Sequence, residues 1–165
     1  MSEQSSAPRR ATRAWFFEAL VEMRATGAAT GEIRELNDAL IAEYRATDGD
    51  SMGDFPLDIV GLITMRGARS GITRTVPLGV FPIEGRIFLV ATQGGLPTHP
   101  QWYYNLLANP DITLEWRGET FAARAVLLEG EDREHIVRLL PEQPFDEYFQ
   151  HTGSRVVPIF EIRRT

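Results

Sequence analysis

LITMRGARSGITRTVP, residues Leu62 to Pro77, decides how the rest of the chain is read. An apolar, β-branched run over Ile59, Val60, Leu62, Ile63 and Thr64 halts at Gly67 and Gly71, and a second run starts at Thr73. Strand, glycine-rich turn and strand make a β-hairpin. From Ile59 to Ile83 there are three arginines, Arg66, Arg69 and Arg74, and no acidic residue, in a chain whose formal net charge is -6. Glycines let the N–H groups of a turn converge on one point, Ser70 adds a hydroxyl, and guanidinium forks match phosphate or carboxylate oxygens. The pattern fits an anionic ligand. The plainer alternative is a solvated hairpin tip that uses arginine for solubility.

Working outward, Pro77 and Pro82 break the run Thr73 to Ile83, which places it at a sheet edge or a bulge where ladder donors are not needed. Arg86 to Thr92 is a strand entered through the turn Glu84-Gly85, and Thr92-Gln93-Gly94-Gly95 ends it with exposed backbone donors. After the loop Leu96 to His99, Pro100 opens a helix over Gln101 to Asn109. Strands at Asp111 to Arg117 and Thr120 to Leu128 flank a tight turn at Gly118. Helices over Glu131 to Leu140 and Phe145 to Gln150 precede a last strand, Arg155 to Ile162.

Upstream, residues 1 to 11 form a polar tail, and Thr12 caps a helix in which Trp15, Phe16, Ala19, Leu20 and Met23 recur until Gly27. A second helix runs from about Thr30 to Thr47, with Ile33, Leu36, Leu40 and Tyr44 on one face. The chain divides into residues 1–29, a tail with an extra aromatic amphipathic helix, and a barrel domain over 30–165. About six strands in short hairpins, without regular crossover helices, define an α+β fold around a small, mostly antiparallel β-barrel.

Composition narrows the chemistry. The 165 residues, 43% of them hydrophobic, support one core. The absence of cysteine removes disulfides, thiol nucleophiles and cysteine metal sites, so any redox chemistry comes from a bound cofactor. Every basic residue is arginine and the pI is about 5.1, which argues against a nucleic-acid surface. His99, His135 and His151 lack ligand spacing, so no metal site is expected, and no nucleophile-elbow pattern supports a hydrolase. No apolar run is long enough to cross a bilayer, and the start lacks the apolar centre of a signal peptide, so a cytoplasmic protein is expected. The aromatic helix with Arg9, Arg10, Arg13 and Arg24 leaves peripheral membrane contact as an alternative to docking on its own domain or on a partner subunit.

Three segments, GARSGITRTVPLGVF, VATQGGLPTHPQWYYNLLANPDITLEW and YFQHTGSRVVPIFEI, together resemble the deazaflavin-dependent nitroreductase family, split-barrel proteins that use coenzyme F420. The likeness runs from about Asn37 to Ile162. It implies that Gly67, Arg69, Ser70, Gly71 and Arg74 hold the phosphate and acidic tail of the cofactor, with Ala68 and Arg69 standing where the family has arginine and lysine. Pro77 matches the residue set against the deazaflavin ring. Thr92 and Gln93 replace a serine and a lysine, while Gly94 and Gly95 match. Pro100, Trp102, Tyr103, Asn105 and Asn109-Pro110 match a helix whose beginning lies over the cofactor, where Gln101 departs from the family's small residue or methionine. Phe145 and Tyr148 resemble aromatic residues of the substrate pocket, and Tyr148 is the candidate proton donor.

The function implied is an F420H2-dependent reductase that passes hydride to a quinone, enone or nitroaromatic. Two alternatives stand beside it. One is an FMN-using split barrel; the other is a non-catalytic module that binds F420 or an apolar ligand such as a fatty acid. Such barrels often pair as homodimers; the alternative is that the N-terminal helix covers the exposed face instead.

Overall fold

Two edge strands separated by a single residue close the sheet. In the computed structural model, which describes residues 9–27 and 31–165, the strands are β1 (Val60–Arg66), β2 (Thr73–Gly79), β3 (Phe81–Ile83), β4 (Arg86–Val90), β5 (Asp111–Trp116), β6 (Glu119–Leu127) and β7 (Ile159–Arg164). Their order is β2-β1-β5-β6-β7-β4-β3, with every neighbouring pair antiparallel. β2 and β3 are consecutive in the chain yet stand at opposite ends of that order, joined only through Val80. The sheet therefore curls until its edges approach, giving the expected split barrel. Pro77 and Pro82 lie on these two edge strands, where a missing N–H breaks no ladder.

The difference from the expected six strands arises at Gly79-Val80-Phe81, where one predicted strand divides. Val80 is fully buried and donates its N–H to Ile59 O at 2.8 Å instead of extending either strand. The last strand is also shorter at its start, pairing only from Ile159. Pro158 has no N–H to offer a ladder, and the Arg155 side chain is turned onto a loop.

The helices are α1 (Arg13–Thr26), α2 (Gly31–Ala46), α3 (Gln101–Ala108), α4 (Gly130–Leu139) and α5 (Glu142–His151), with a 3₁₀ turn at Gln93–Gly95. Thr12 caps α1 by accepting the Trp15 N–H at 3.1 Å, and Gly27 ends it in the left-handed region. The expected start of α2 at Thr30 lies outside the described residues. Inside the barrel, Ile63, Met65, Leu89, Leu106, Leu114 and Phe160 form the main core. On the outer face, Leu62 packs beneath α2 against Leu36, Leu40 and Tyr44. Because α2 covers that face, β1 is apolar on both sides and does not alternate. A third cluster joins Phe88, Val90 and Ile159 to Ile136 of α4, Phe145 and Tyr148 of α5, and Leu20 of α1.

Candidate cofactor site

The turn between β1 and β2 is built by its glycines. Gly67 donates to Ile72 O at 2.9 Å, Gly71 donates back to Gly67 O at 3.1 Å, and Ile72 donates to Ser70 Oγ at 3.1 Å. Gly71 adopts φ +67°, and a Cβ on Gly67 would stand 2.6 Å from Ser70 Oγ, so neither position takes a side chain without strain. These bonds use N–H groups that the sequence reading left for a ligand. Those of Arg69 and Ser70 keep no protein partner among the described residues.

Charge is what the turn offers. The described ion pairs engage arginines elsewhere, such as Arg24, Arg45, Arg86, Arg124 and Arg164, but none involves Arg66, Arg69 or Arg74. Arg69 and Arg74 are exposed. In a chain of net charge -6, guanidinium groups kept clear of carboxylates form a local positive field suited to a multiply charged anion. A phosphate and a carboxylate tail fit this donor set.

α3 is tied directly to the turn. Buried Asn105 accepts the Ala68 N–H at 3.0 Å and the Gln101 Nε2–H at 3.3 Å, and Asn109 Nδ2 donates to Arg66 O at 3.4 Å. Arg74 pairs with Met65, which packs in the cluster that also contacts half-buried Trp102. Arg74, Gln101, Trp102 and Asn105 thus share one side of the hairpin. Pro77 pairs with Leu62 and lies on the α2 side, so the structure does not bring it to the face that carries Trp102.

A second half of the site follows β4. Gln93 turns its side-chain amide nitrogen toward Thr98 O and His99 O, 2.9 and 3.0 Å away, which folds the loop back toward α3. Gly94 has φ +62° and lies against Leu20 of α1, while a Cβ on Gly95 would meet the Tyr148 backbone of α5. Phe145 and Tyr148 are buried, their ring centroids 6.4 Å apart. Burial pushes the Tyr148 hydroxyl above its ordinary value, and the Arg24 charge partly opposes that rise.

Sequence reasoning missed the residue that holds this loop. Arg155 donates to Ala91 O at 2.9 Å, Thr92 O at 2.7 Å and Leu96 O at 2.7 and 3.1 Å, and its Nη1 lies 3.0 Å from His99 Nδ1. Burial, followed by the Arg155 charge, holds the His99 imidazole below its ordinary pKa. The His99 ring stands 4.4 Å from that of Tyr103, which links the loop to α3. The one available signal was an arginine in a stretch without acids, HTGSRVVPIF. An open groove of about 340 Å³ touches the base of the hairpin at Met65, Arg66 and Thr73 and runs on to Asp111 and Thr165, and its lining includes neither Arg69 nor Trp102.

The curled antiparallel sheet, with the arginine turn at its β1–β2 end, defines a split-barrel protein of the cofactor-binding class. The chain belongs to the F420H(2)-dependent quinone reductase family, whose model matches residues 33–162. It is similar to the F420H(2)-dependent quinone reductase Rv1261c of Mycobacterium tuberculosis, 29% identical over 139 residues that cover 81% of this chain and 91% of that protein. Among solved structures, the F420-H2-dependent reductase FDR-A is 38% identical with a TM-score of 0.56, covering 63% of this chain and 93% of that one. Another, described as a domain-swapped dimer, is 38% identical with a TM-score of 0.60, covering 74% and 91%.

Proposed function

We propose that this protein is an F420H2-dependent reductase that converts a quinone to its hydroquinone. The observation that carries the reading is the arginine turn, fastened to α3 by Asn105 and without an acidic partner in any of the described ion pairs. Arg69, Arg74 and Ser70, with the N–H groups of Arg69 and Ser70, would hold the phosphate and acidic tail; Gly67 and Gly71 shape their turn. Gln101, Trp102, Thr92, Gln93, Gly94 and Gly95 are the residues assigned to the ring, and Pro77, on the α2 side, is not among them. When bound, the reduced cofactor supplies a hydride, which carries two electrons and one proton. The chain's share is to bind, orient and exclude water. Hydroquinone formation needs one further proton, and Tyr148, protonated at neutral pH, is the assigned donor with Phe145 beside it. Quinone is favoured over an enone or a nitroaromatic by the family to which the chain belongs. Pairing of two copies is part of this reading, supported by the domain-swapped dimer among the similar structures.

The test is a fluorescence titration with F420 and with FMN, followed by steady-state oxidation of F420H2 with a quinone. Micromolar or tighter F420 binding and consumption of F420H2 are expected. Absence of F420 binding overturns the reading. Preference for FMN selects the flavin alternative, and binding without consumption selects the carrier.

A further inference from the structure

α1 lies outside the residues that the family model matches, yet it reaches the second half of the site. Leu20 packs in one cluster with Phe145 and Tyr148, and a Cβ on Gly94 would collide with Leu20 Cδ1. One turn further along α1, Arg24 divides its donors. Nε donates to Gly94 O at 3.0 Å and Nη1 to Glu147 Oε1 at 2.8 Å, while the guanidinium carbon stands 5.8 Å from the Tyr148 ring centre. The remaining nitrogen, Nη2, is buried and has no partner among the described residues. A guanidinium only donates, and a buried donor without an acceptor is a standing cost that a bound oxygen removes. Arg133 Nε, the other such atom among the described residues, is on α4, where Arg133 bonds Val157 O and Glu134 instead of the loop.

The geometry points to Arg24 as a specificity-determining residue, its Nη2 donating to a carbonyl oxygen of the quinone at the seam of α1, α5 and Gly94. This rests on the reading above that the Tyr148 side receives the acceptor. The chemistry is selective: leucine and phenylalanine side chains take the apolar ring, and a donor-only cation donates to a carbonyl oxygen but repels a protonated amine. Glu147 fixes the orientation of the fork, and the same cation faces the Tyr148 ring, so one group serves both the acceptor oxygen and the assigned proton donor.

The experiment uses the full chain loaded with oxidised F420, which has no hydride to give, so that binding is read without turnover. Calorimetric titration compares 1,4-naphthoquinone with naphthalene, the same ring system without oxygens. The chain contains no cysteine, so the quinone forms no thiol adduct. Wild type is expected to prefer the quinone. Arg24→Met lowers quinone affinity about tenfold and leaves naphthalene affinity unchanged, as loss of one charge-assisted hydrogen bond predicts. Arg24→Lys, which keeps the charge, recovers part of the preference. Equal losses for both ligands would show that Arg24 only docks α1, and no loss for either would remove it from the acceptor; each outcome overturns the inference. Failure of F420 to load is a different result, which sinks the proposed function and this inference with it.

Discussion

Asn105 on α3 accepts the Ala68 backbone N–H at 3.0 Å, and this bond fastens the arginine turn to the helix that starts after Pro100. Asn105 is 6% exposed, so the bond is made out of water. Asn105→Ala would leave the Ala68 N–H without its partner, at a cost of about 1–3 kcal/mol. It would also let the turn move relative to Trp102. Asn105→Asp keeps an acceptor oxygen in place and should recover the turn. Thermal melting and F420 titration of both variants check this; unchanged F420 affinity in Asn105→Ala would show that the turn does not depend on α3.

Charge reversal at the turn separates stability from ligand binding. Arg69 and Arg74 are exposed and make no ion pair among the described residues, so Arg69→Glu and Arg74→Glu should shift unfolding by no more than about 0.5 kcal/mol. F420 affinity should fall at least about tenfold in each, because an attraction becomes a repulsion, and the salt dependence of binding should weaken. Fluorescence titration at two ionic strengths reads both effects. Unchanged affinity in both variants would place the anionic tail elsewhere.

Acid stability should depend on Arg86. This residue of β4 bonds Asp132 of α4 at 2.8 and 3.0 Å and Glu161 of β7 at 2.9 Å. The Arg86 hydrogen bonds hold both carboxyls below their ordinary pKa, with burial opposing. A carboxyl whose folded pKa lies below its unfolded one gives stability that is complete above the unfolded value and lost as pH falls through the folded one. Unfolding free energy should therefore decline below about pH 4.3, the ordinary glutamate value. Most of the effect belongs to Glu161, since the Asp132 side chain is 48% exposed and screened. Arg86→Met should cost about 1–3 kcal/mol at neutral pH and flatten this decline. Denaturant titrations from pH 3 to 7 test it, and an acid limb of wild-type steepness in the variant would refute it.

The hairpin, the caps of α1 and the edge positions of both prolines were legible because each rests on local chemistry: glycine torsions, a threonine oxygen, a missing N–H. The split at Val80 was not, since a single buried residue between two edge strands is set by the curl of the sheet. The arginine turn showed itself as a charge reversal in the sequence. The bonds that consume its N–H groups did not, because they depend on how Gly67, Ser70 and Gly71 close on one another. Arg24 and Arg155 were invisible as site residues for a further reason. Their partners are backbone carbonyls about 60 to 70 positions away in the chain, and a carbonyl has no sequence signature.

Arg155 sets the last expectation. Its guanidinium serves the carbonyls of Ala91, Thr92 and Leu96 and lies against His99 Nδ1, so one side chain fixes both ends of the loop between β4 and α3. Arg155→Met would strip those carbonyls of their donor and cost about 2–4 kcal/mol. Arg155→Lys should recover only part, because an ammonium has no planar fork to span them. The His99 imidazole reports on the clamp independently of folding. Its pKa is lowered by burial and by the Arg155 charge, so Arg155→Met should raise it toward the ordinary value near 6.5. In wild type the depressed His99 pKa removes stability as pH falls below that ordinary value, since only the unfolded chain takes up the proton. The variant should lose less over the same window. Imidazole proton shifts followed by NMR, together with melting between pH 5 and 8, read both effects. A His99 pKa unmoved by Arg155→Met would show that the cation does not act on the ring.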